Sequence, residues 1–105
     1  QKAKELVLLA DILDAERAQE MGLVNRVVPR SELDTVVEEF VSKLKAGPPI
    51  ALATSKKLLN QSFTSTLDEA LEAEGIGQAY QFTTADTVEA MTAFVEKRDP
   101  RFTGR

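Results

Sequence analysis

The chain has 105 residues, of which 43% are hydrophobic and 29% charged, and its formal net charge is −4. It contains no cysteine and no histidine, which excludes disulfides, thiolate metal sites and thiol nucleophiles and removes the commonest general base. This is the composition of one globular domain at most, and its acidity argues against nucleic acid as a partner, because that binding depends on phosphate neutralisation.

The first predicted element is a helix over Lys2–Ala10. Its apolar residues recur at intervals of three and four, which is the spacing of one face of an α-helix: Ala3, Leu6, Val7 and Ala10. The chain starts without a methionine and already within this helical pattern, which predicts that it is part of a longer protein.

A short helix and an extended segment are predicted next. Asp14 is expected to cap a helix that runs through Met21, and Gly22 suits the left-handed position that ends it. The segment Leu23–Val28 is short, rich in β-branched residues and stopped by Pro29, so it is predicted to be extended.

The clearest amphipathic helix follows. Ser31 is predicted to open it, with Asp34 three residues later completing a variant capping box. Gly47 ends this helix, and Pro49 begins another that reaches about Gln61, because proline is tolerated in a first turn. The apolar face of the first of these two helices comprises Leu33, Val36, Val37, Phe40, Val41 and Leu44.

A fifth helix is predicted from a second capping box. Thr66 and Glu69 are spaced to satisfy each other's backbone groups at its start. Gly75 and Gly77 lie inside the helical pattern and each weakens it by roughly 1 kcal/mol relative to alanine. We therefore expect a break or a close helix crossing near them.

The last predicted helix starts at Thr83 or Thr84 and continues until Pro100 stops it. A basic stretch with a single acid, Asp99, closes the chain. Such a patch can hold a small polyanion, although cations at a helix C-terminus also complement the helix dipole. The four cations are Lys97, Arg98, Arg101 and Arg105.

The residues by themselves predict no catalytic site and no metal site. The two glycines of the sequence EGIG follow no strand, so they are not a nucleotide-binding loop. Ser55 and Lys56 are adjacent on a helix and point in different directions. The paired acids are interpreted as solvated helix faces: Glu38 and Glu39, Asp68 and Glu69, and Glu72 and Glu74.

Taken as a whole, the string resembles the enoyl-CoA hydratase/isomerase family, the crotonases. The resemblance covers essentially the full chain, and it depends on the pattern A-x-x-x-G-L-V-N-x-V-V at Ala18–Val28 and on a double proline followed by a lysine-bearing helix. A third pattern, AF-x-E-K-R-x-P-x-F, occupies Ala93–Phe102. No single motif is decisive, but together they are highly specific.

The resemblance implies a mainly helical fold, the C-terminal region of the crotonase fold, with five or six helices and the spiral core of ββα turns missing. Residues 1–30 would be the end of the core region, and residues 31–105 the helical region that mediates oligomerisation. Crotonases form trimers that commonly pair into hexamers, so a homo-oligomer is expected. Their oxyanion hole and two glutamates belong to the spiral core, upstream of Gln1, so no catalytic residue is expected in this chain.

The function implied is that of part of an enzyme that hydrates trans-2-enoyl-CoA in fatty-acid β-oxidation or related acyl-CoA metabolism, with the chain alone inactive. No cofactor is expected, because coenzyme A enters as part of the substrate. The partners implied are acyl-CoA and other copies of the chain, with neither nucleic acid nor membrane. No apolar run approaches membrane-spanning length and no signal peptide is visible, so a cytoplasmic location is expected.

The resemblance also gives the basic stretch a role. In many crotonases the last helix presents a phenylalanine, and a lysine three residues later, to the coenzyme A of a neighbouring subunit. Phe94 and Lys97 match this pair in identity and spacing, and Arg98 and Arg101 are secondary candidates. Residues three apart share a helix face, so the ring can pack on adenine while the ammonium meets a phosphate. The alternative is that Phe94 is core and Lys97 compensates the helix dipole.

Two other functions stay open at this point. The chain could be a free-standing helical oligomerisation or interaction module without any catalytic core. It could also belong to a crotonase with other acyl-CoA chemistry, such as an isomerase, a dehydrogenase-coupled hydratase or a thioester hydrolase. The residues upstream, read for two suitably placed glutamates and the oxyanion loops, would discriminate among these.

Overall fold

A computed structural model describes residues 1–105 and contains only helices and the segments that join them. The absence of β-strands confirms the predicted mainly helical fold. The segment Leu23–Val28, predicted to be extended, forms bends followed by residues without regular structure. The elements, in chain order, are α1 (Lys2–Leu9), α2 (Ala15–Glu20), a 3-10 turn (Arg30–Glu32), α3 (Leu33–Lys45), α4 (Pro49–Gln61), α5 (Leu67–Gln81) and α6 (Ala85–Glu96).

The chain divides into two compact units, residues 1–37 and residues 38–105. In the first unit, the predicted cap of α2 is confirmed, because the Asp14 carboxylate accepts a hydrogen bond from the Arg17 N–H at 2.7 Å. Gly22 follows α2 with φ +76, the left-handed conformation predicted for it. Glycine adopts this conformation without the steric cost of a Cβ atom, which explains why α2 stops here.

The start of α3 differs from the prediction. Ser31 does not cap the helix; it lies within the 3-10 turn, whose cap position is Pro29. A capping residue needs an extended backbone, and Pro29 already has it, with φ −53 and ψ 145. Helical geometry therefore begins before Ser31, and the predicted pairing of its hydroxyl with the start of the helix does not form.

The capping box at the start of α5 is confirmed. The Thr66 hydroxyl accepts from the Glu69 N–H at 3.3 Å, and the Glu69 carboxylate accepts from the Thr66 N–H at 2.8 Å. These two bonds satisfy donors that a helix start otherwise leaves without partners. The Thr66 backbone N–H and the Thr66 hydroxyl, the latter at 2.9 Å, both donate to the Glu69 carboxylate and lower the pKa of this carboxyl by stabilising its charged form.

The two glycines of α5 do not break it, but one of them marks a close crossing. α4 and α5 pack against each other, and a Cβ atom on Gly77 would lie 3.2 Å from the Thr54 methyl carbon. The Gln81 amide donates to the Thr54 hydroxyl at 3.2 Å and adds a polar contact between the same helices. At Gly75, by contrast, nothing lies within 4 Å of such a Cβ atom. The predicted close crossing is therefore confirmed at Gly77, and the break is not.

Very little of the chain is buried. Ala93 on α6 is the one apolar residue in the core, at 1% exposure. Large apolar side chains are exposed instead on several helices, among them Val7, Leu59, Leu67, Val88 and Val95. A chain with its own hydrophobic core would bury many of these residues. The helices are therefore well formed locally while most of their apolar surface has no cover.

Candidate functional site

The predicted pair lies at the end of α6. Phe94 is in the last turn and is 85% exposed, so it is not part of a core within this chain. The helix ends at Glu96, before the predicted stop at Pro100, because Lys97 adopts the left-handed conformation with φ 55. The assumption that Phe94 and Lys97 share one helix face therefore does not hold, and their proximity comes from the turn.

Two backbone bonds define this turn. The Lys97 N–H donates to the Phe94 carbonyl at 3.3 Å, and the Arg98 N–H donates to the Ala93 carbonyl at 3.0 Å. This is the Schellman pattern, in which the left-handed position is usually glycine. A side chain there costs roughly 1–2 kcal/mol. Lys97 is exposed and its ammonium forms no ion pair, so no ion pair of its side chain offsets this cost.

Arg98, the next residue, is held by two carboxylates of α6. Its guanidinium contacts Glu89 through two bonds, Nη1 to Oε1 at 2.6 Å and Nη2 to Oε2 at 3.0 Å. A third bond joins its Nε to the Glu96 carboxylate at 2.6 Å. Paired bonds of this kind fix the plane of the guanidinium as well as its position. They also raise the pKa of Arg98, mainly through Glu89.

Glu89 also forms a hydrogen bond with the backbone beyond this turn. Its Oε1 accepts the backbone N–H of Arg101 at 2.8 Å. The Arg98 guanidinium, followed by the Arg101 amide, lowers the pKa of the Glu89 carboxyl to about 2. The Arg101 guanidinium forms no ion pair and lines a shallow depression with Glu89, Arg98 and Asp99. The Glu89 carboxylate thus connects α6 to Arg98 and to Arg101, the two ends of a short loop.

We expect the amide proton of Arg101 to follow the titration of Glu89. The folded-state pKa is depressed to about 2 from an ordinary 4.5, so the stabilisation from Glu89 is fully present above pH 4.5 and is lost as the pH falls through about 2. In an NMR titration, the chemical shift of this amide should change with a midpoint near pH 2 and stay flat in the Glu89→Gln variant. A midpoint near 4.5 would show that the contact is absent in solution.

A second anchor holds the end of the chain to the first turn of α6. Asp86 is only 4% exposed, and its carboxylate accepts the N–H of Thr103 at 2.7 Å and the N–H of Gly104 at 2.9 Å. The Arg105 carbonyl accepts the N–H of Ala85 at 2.6 Å, so it satisfies a donor at the start of the helix. Residues 98–105 are therefore fixed to both ends of α6.

Gly104 is required where this segment turns. Its φ is +75, and a Cβ atom there would lie 2.9 Å from the Pro49 ring at the start of α4. Phe102 is half-buried, unlike Phe94. Of the two aromatic residues near the end of the chain, one belongs to the packing of the segment and the other projects from it.

The sequence interpretation missed the two carboxylates that hold this segment, Asp86 and Glu89. Asp86 is in the first turn of α6, where an acid complements the helix dipole without any partner, and Glu89 lies one turn further along, where no local sequence signal marks it. Their partners lie between 9 and 18 residues away along the chain. A short-range sequence pattern cannot indicate contacts between residues so far apart. These contacts also cross a turn whose geometry depends on the left-handed Lys97.

The prediction that the three acidic pairs form solvated surface is confirmed. All six residues of the three acidic pairs are exposed. No group of three or more histidine, cysteine or acidic residues is arranged to hold a metal ion. An open groove of about 360 Å³ lies between α4 and α5, and Ser55 lines it without Lys56, which agrees with the divergent directions predicted for them. None of the helices combines the length and the apolar character needed to cross a membrane.

Comparison with known proteins places these features in a family. The family model for enoyl-CoA hydratase/isomerase matches residues 1–105. The short-chain-enoyl-CoA hydratase of Clostridium acetobutylicum is 40% identical over 98 residues, which cover 91% of this chain and 37% of the relative. The 1,2-epoxyphenylacetyl-CoA isomerase of Escherichia coli is 35% identical over 104 residues, which cover 99% of this chain and 40% of the relative.

The fold is shared as well. The crystal structure of an enoyl-CoA hydratase from Bacillus anthracis matches this chain with a TM-score of 0.93 and 32% identity, over 99% of this chain and 40% of that one. The chain thus spans about 40% of the length of these relatives. Because the family model covers every residue and the helices match those of a solved hydratase, the chain belongs to the enoyl-CoA hydratase/isomerase family.

Proposed function

We propose that this chain is the subunit-assembly and coenzyme A-contacting part of an enzyme that hydrates trans-2-enoyl-CoA. The observation that carries the proposal is the exposed Phe94 beside a left-handed Lys97 whose ammonium has no partner, in a chain of this family. Neither feature stabilises the chain, and each suits a ligand that offers an aromatic base and phosphates. The cytoplasmic location expected from the sequence is part of this proposal.

The assembly role is supported by the uncovered apolar surface, with residues 31–105 as the region that mediates it. Along α6, Val88, Met91 and Val95 recur at helical spacing and are all more than half exposed. A stripe of this kind on a chain with almost no core is typical of a surface that another subunit or domain covers. We assign the stripe to contacts within a homo-oligomer, a trimer or a hexamer in the whole enzyme.

The coenzyme contact is supported by how the cations are distributed. Arg98 already binds two carboxylates, so it is less available to a phosphate than Lys97. The Arg101 guanidinium has no ion pair and is the better secondary candidate. We therefore propose that the Phe94 ring packs on the adenine of a coenzyme A bound by a neighbouring subunit, while Lys97 and then Arg101 meet its phosphates.

A second candidate is isomerase chemistry on a CoA thioester. It is favoured by the Escherichia coli relative, which is named as an isomerase and matches nearly the whole chain. The contacts proposed for Phe94 and Lys97 are the same in either case, because they involve the nucleotide and not the reacting carbon. The residues upstream that carry the catalytic glutamates would separate hydratase, isomerase and thioester hydrolase.

Lys97→Ala, made in the whole enzyme, should raise KM for the CoA thioester about tenfold, the effect of losing one charge-assisted contact. Because that contact is remote from the reacting carbon, kcat should change little. The effect should shrink as salt rises, since the ion pair is exposed and screened. Alanine has a Cβ atom like lysine, so the strain of the left-handed position is the same in both proteins. Steady-state kinetics at two ionic strengths measures each of these results.

The matched control for this variant is a substrate without the nucleotide. On a pantetheine thioester, wild type and Lys97→Ala should have nearly equal kinetics, because the phosphates that Lys97 contacts are absent. Phe94→Ala should behave in the same way, weakening the binding of the CoA thioester more than that of the pantetheine thioester. An equal loss on both substrates would mean that Lys97 has a structural role, and the coenzyme contact would be wrong.

A further inference from the structure

We propose that Glu89 is a positioning residue for coenzyme A: it holds the loop after α6 so that Lys97 points its ammonium toward the phosphates. The inference rests on the proposed function, because it supposes that Lys97 meets the ligand. It adds a residue that touches no ligand itself and that carries the opposite charge to the residue it positions.

The contacts around Lys97 support this role. The lysine side chain has no partner, so only the backbone on either side of it can fix its direction. On the helix side, the turn is closed by the bonds to the Ala93 and Phe94 carbonyls. On the other side, Glu89 holds Arg98 by a paired bond at 2.6 and 3.0 Å and Arg101 by its backbone N–H at 2.8 Å.

The positions of Glu89 and Glu96 on α6 support the same role. Glu89 and Glu96 are seven residues apart on α6, so they lie on nearly the same face, two turns from each other. The Arg98 guanidinium bonds to both carboxylates, so it lies along that face and draws the chain back over the helix. A loop held this way cannot swing without breaking a paired ion contact, and Lys97 is the residue at its base.

The strained backbone of Lys97 also needs contacts that hold it. Lys97 is left-handed although it carries a Cβ atom, and residues held in this way persist only where their surroundings determine the conformation. The bonds to the Ala93 and Phe94 carbonyls constrain the turn from the helix backbone, and Glu89 constrains the residues that follow the turn through Arg98 and Arg101. Without Glu89 only the first constraint acts directly on the turn, and the ammonium is held less firmly relative to Phe94.

The sign of the expected effect separates positioning from simple electrostatics. Glu89 is an acid beside a basic loop, so its removal makes the region more positive and, by charge alone, should tighten the binding of a polyanion. Positioning predicts the reverse. We therefore expect Glu89→Gln to weaken the binding of coenzyme A although it increases the local positive charge.

The test is a double-mutant cycle in the whole enzyme, with the dissociation constant of coenzyme A measured by calorimetry. Glu89→Gln should weaken binding about three- to tenfold in the wild-type background and have no further effect in a Lys97→Ala background. Glu72→Gln, which removes an exposed acid from α5, is the matched control for the change in charge and should leave the constant unchanged.

Arg98→Lys is the second variant, for use also if Glu89→Gln proves unstable. It keeps the net charge and a cation near the ligand but loses the planar fork that pairs with Glu89. It should weaken binding in the wild-type background and not in the Lys97→Ala background. Thermal unfolding followed by circular dichroism identifies any variant that has lost its fold.

Three outcomes would overturn the proposal. If Glu89→Gln leaves the dissociation constant unchanged or tightens it while Lys97→Ala weakens it, the positioning role is wrong and the proposed function stands. If Glu89→Gln weakens binding equally in both backgrounds, Glu89 acts without Lys97 and its role is structural. If Lys97→Ala has no effect, the proposed coenzyme contact fails first, and Glu89 has nothing to position.

Discussion

Purified as the 105-residue chain, the protein should hydrate crotonyl-CoA no faster than buffer. It has no histidine or cysteine, and the six paired acids that could serve as catalysts are exposed helix surface. General acid–base catalysis needs groups that converge on the substrate within hydrogen-bonding reach. We propose that the two catalytic glutamates and the oxyanion hole of the whole enzyme lie upstream of Gln1, as the family resemblance implies. Loss of the absorbance of the enoyl thioester, followed beside a complete hydratase, measures the rate.

A contaminating hydratase from the expression host is the main source of a false positive in this assay. The rate should therefore be followed through successive columns and compared with the elution of the chain. Activity that follows the chain at constant specific rate would contradict the prediction. Activity that separates from it would leave the prediction intact, since the rate would belong to another protein.

The isolated chain should also self-associate at tens of micromolar. Each large apolar side chain that moves from water into an interface contributes roughly 1.5–3 kcal/mol, so burying several of them outweighs much of the cost of association. The faces expected to take part include Val7, Val37 and Phe40, which are exposed, and Leu6, Val36 and Val41, which are half-buried. Sedimentation velocity over a range of concentrations measures the result, and a compact monomer throughout would contradict it.

A pair of variants tests whether the stripe on α6 takes part in this association. Met91→Lys places a charge in the middle of the stripe and should weaken self-association about tenfold or more, because burying an unpaired ammonium is costly. Asn60→Lys adds the same charge at an exposed position of α4, outside the stripe, and should have little effect. Equal effects of the two variants would assign the association to other faces.

Local signals predicted the helices well where the cause lies within a few residues. The caps at Asp14 and Thr66 are satisfied by N–H groups three residues later, and the crossing at Gly77 follows from the absence of a side chain. The prediction that Ser31 caps α3 was wrong, because Pro29 has the extended backbone that a capping residue requires. For each of these caps the deciding interaction lies within a few residues. A sequence pattern can therefore predict that the interaction exists, although it can assign it to the wrong residue.

The end of α6 could not be predicted in the same way. Pro100 was the visible stop signal, whereas the helix ends at Glu96 and is followed by Lys97, a residue that carries no signal for a left-handed turn. The contacts that accompany this turn come from Glu89, and those that fix the following segment come from Asp86. The candidate residues Phe94 and Lys97 came from the family resemblance, and the residues that support them came only from the structure.

The left-handed Lys97 has a consequence for how substitutions at this position would be ranked. Glycine has no Cβ atom and adopts this backbone without the cost of about 1–2 kcal/mol that lysine carries. In a library of all residues at position 97, selection for resistance to unfolding should enrich glycine, while the proposed coenzyme contact predicts that selection for growth on an acyl-CoA pathway enriches lysine. The separation between the two rankings would measure how much stability the lysine costs relative to glycine.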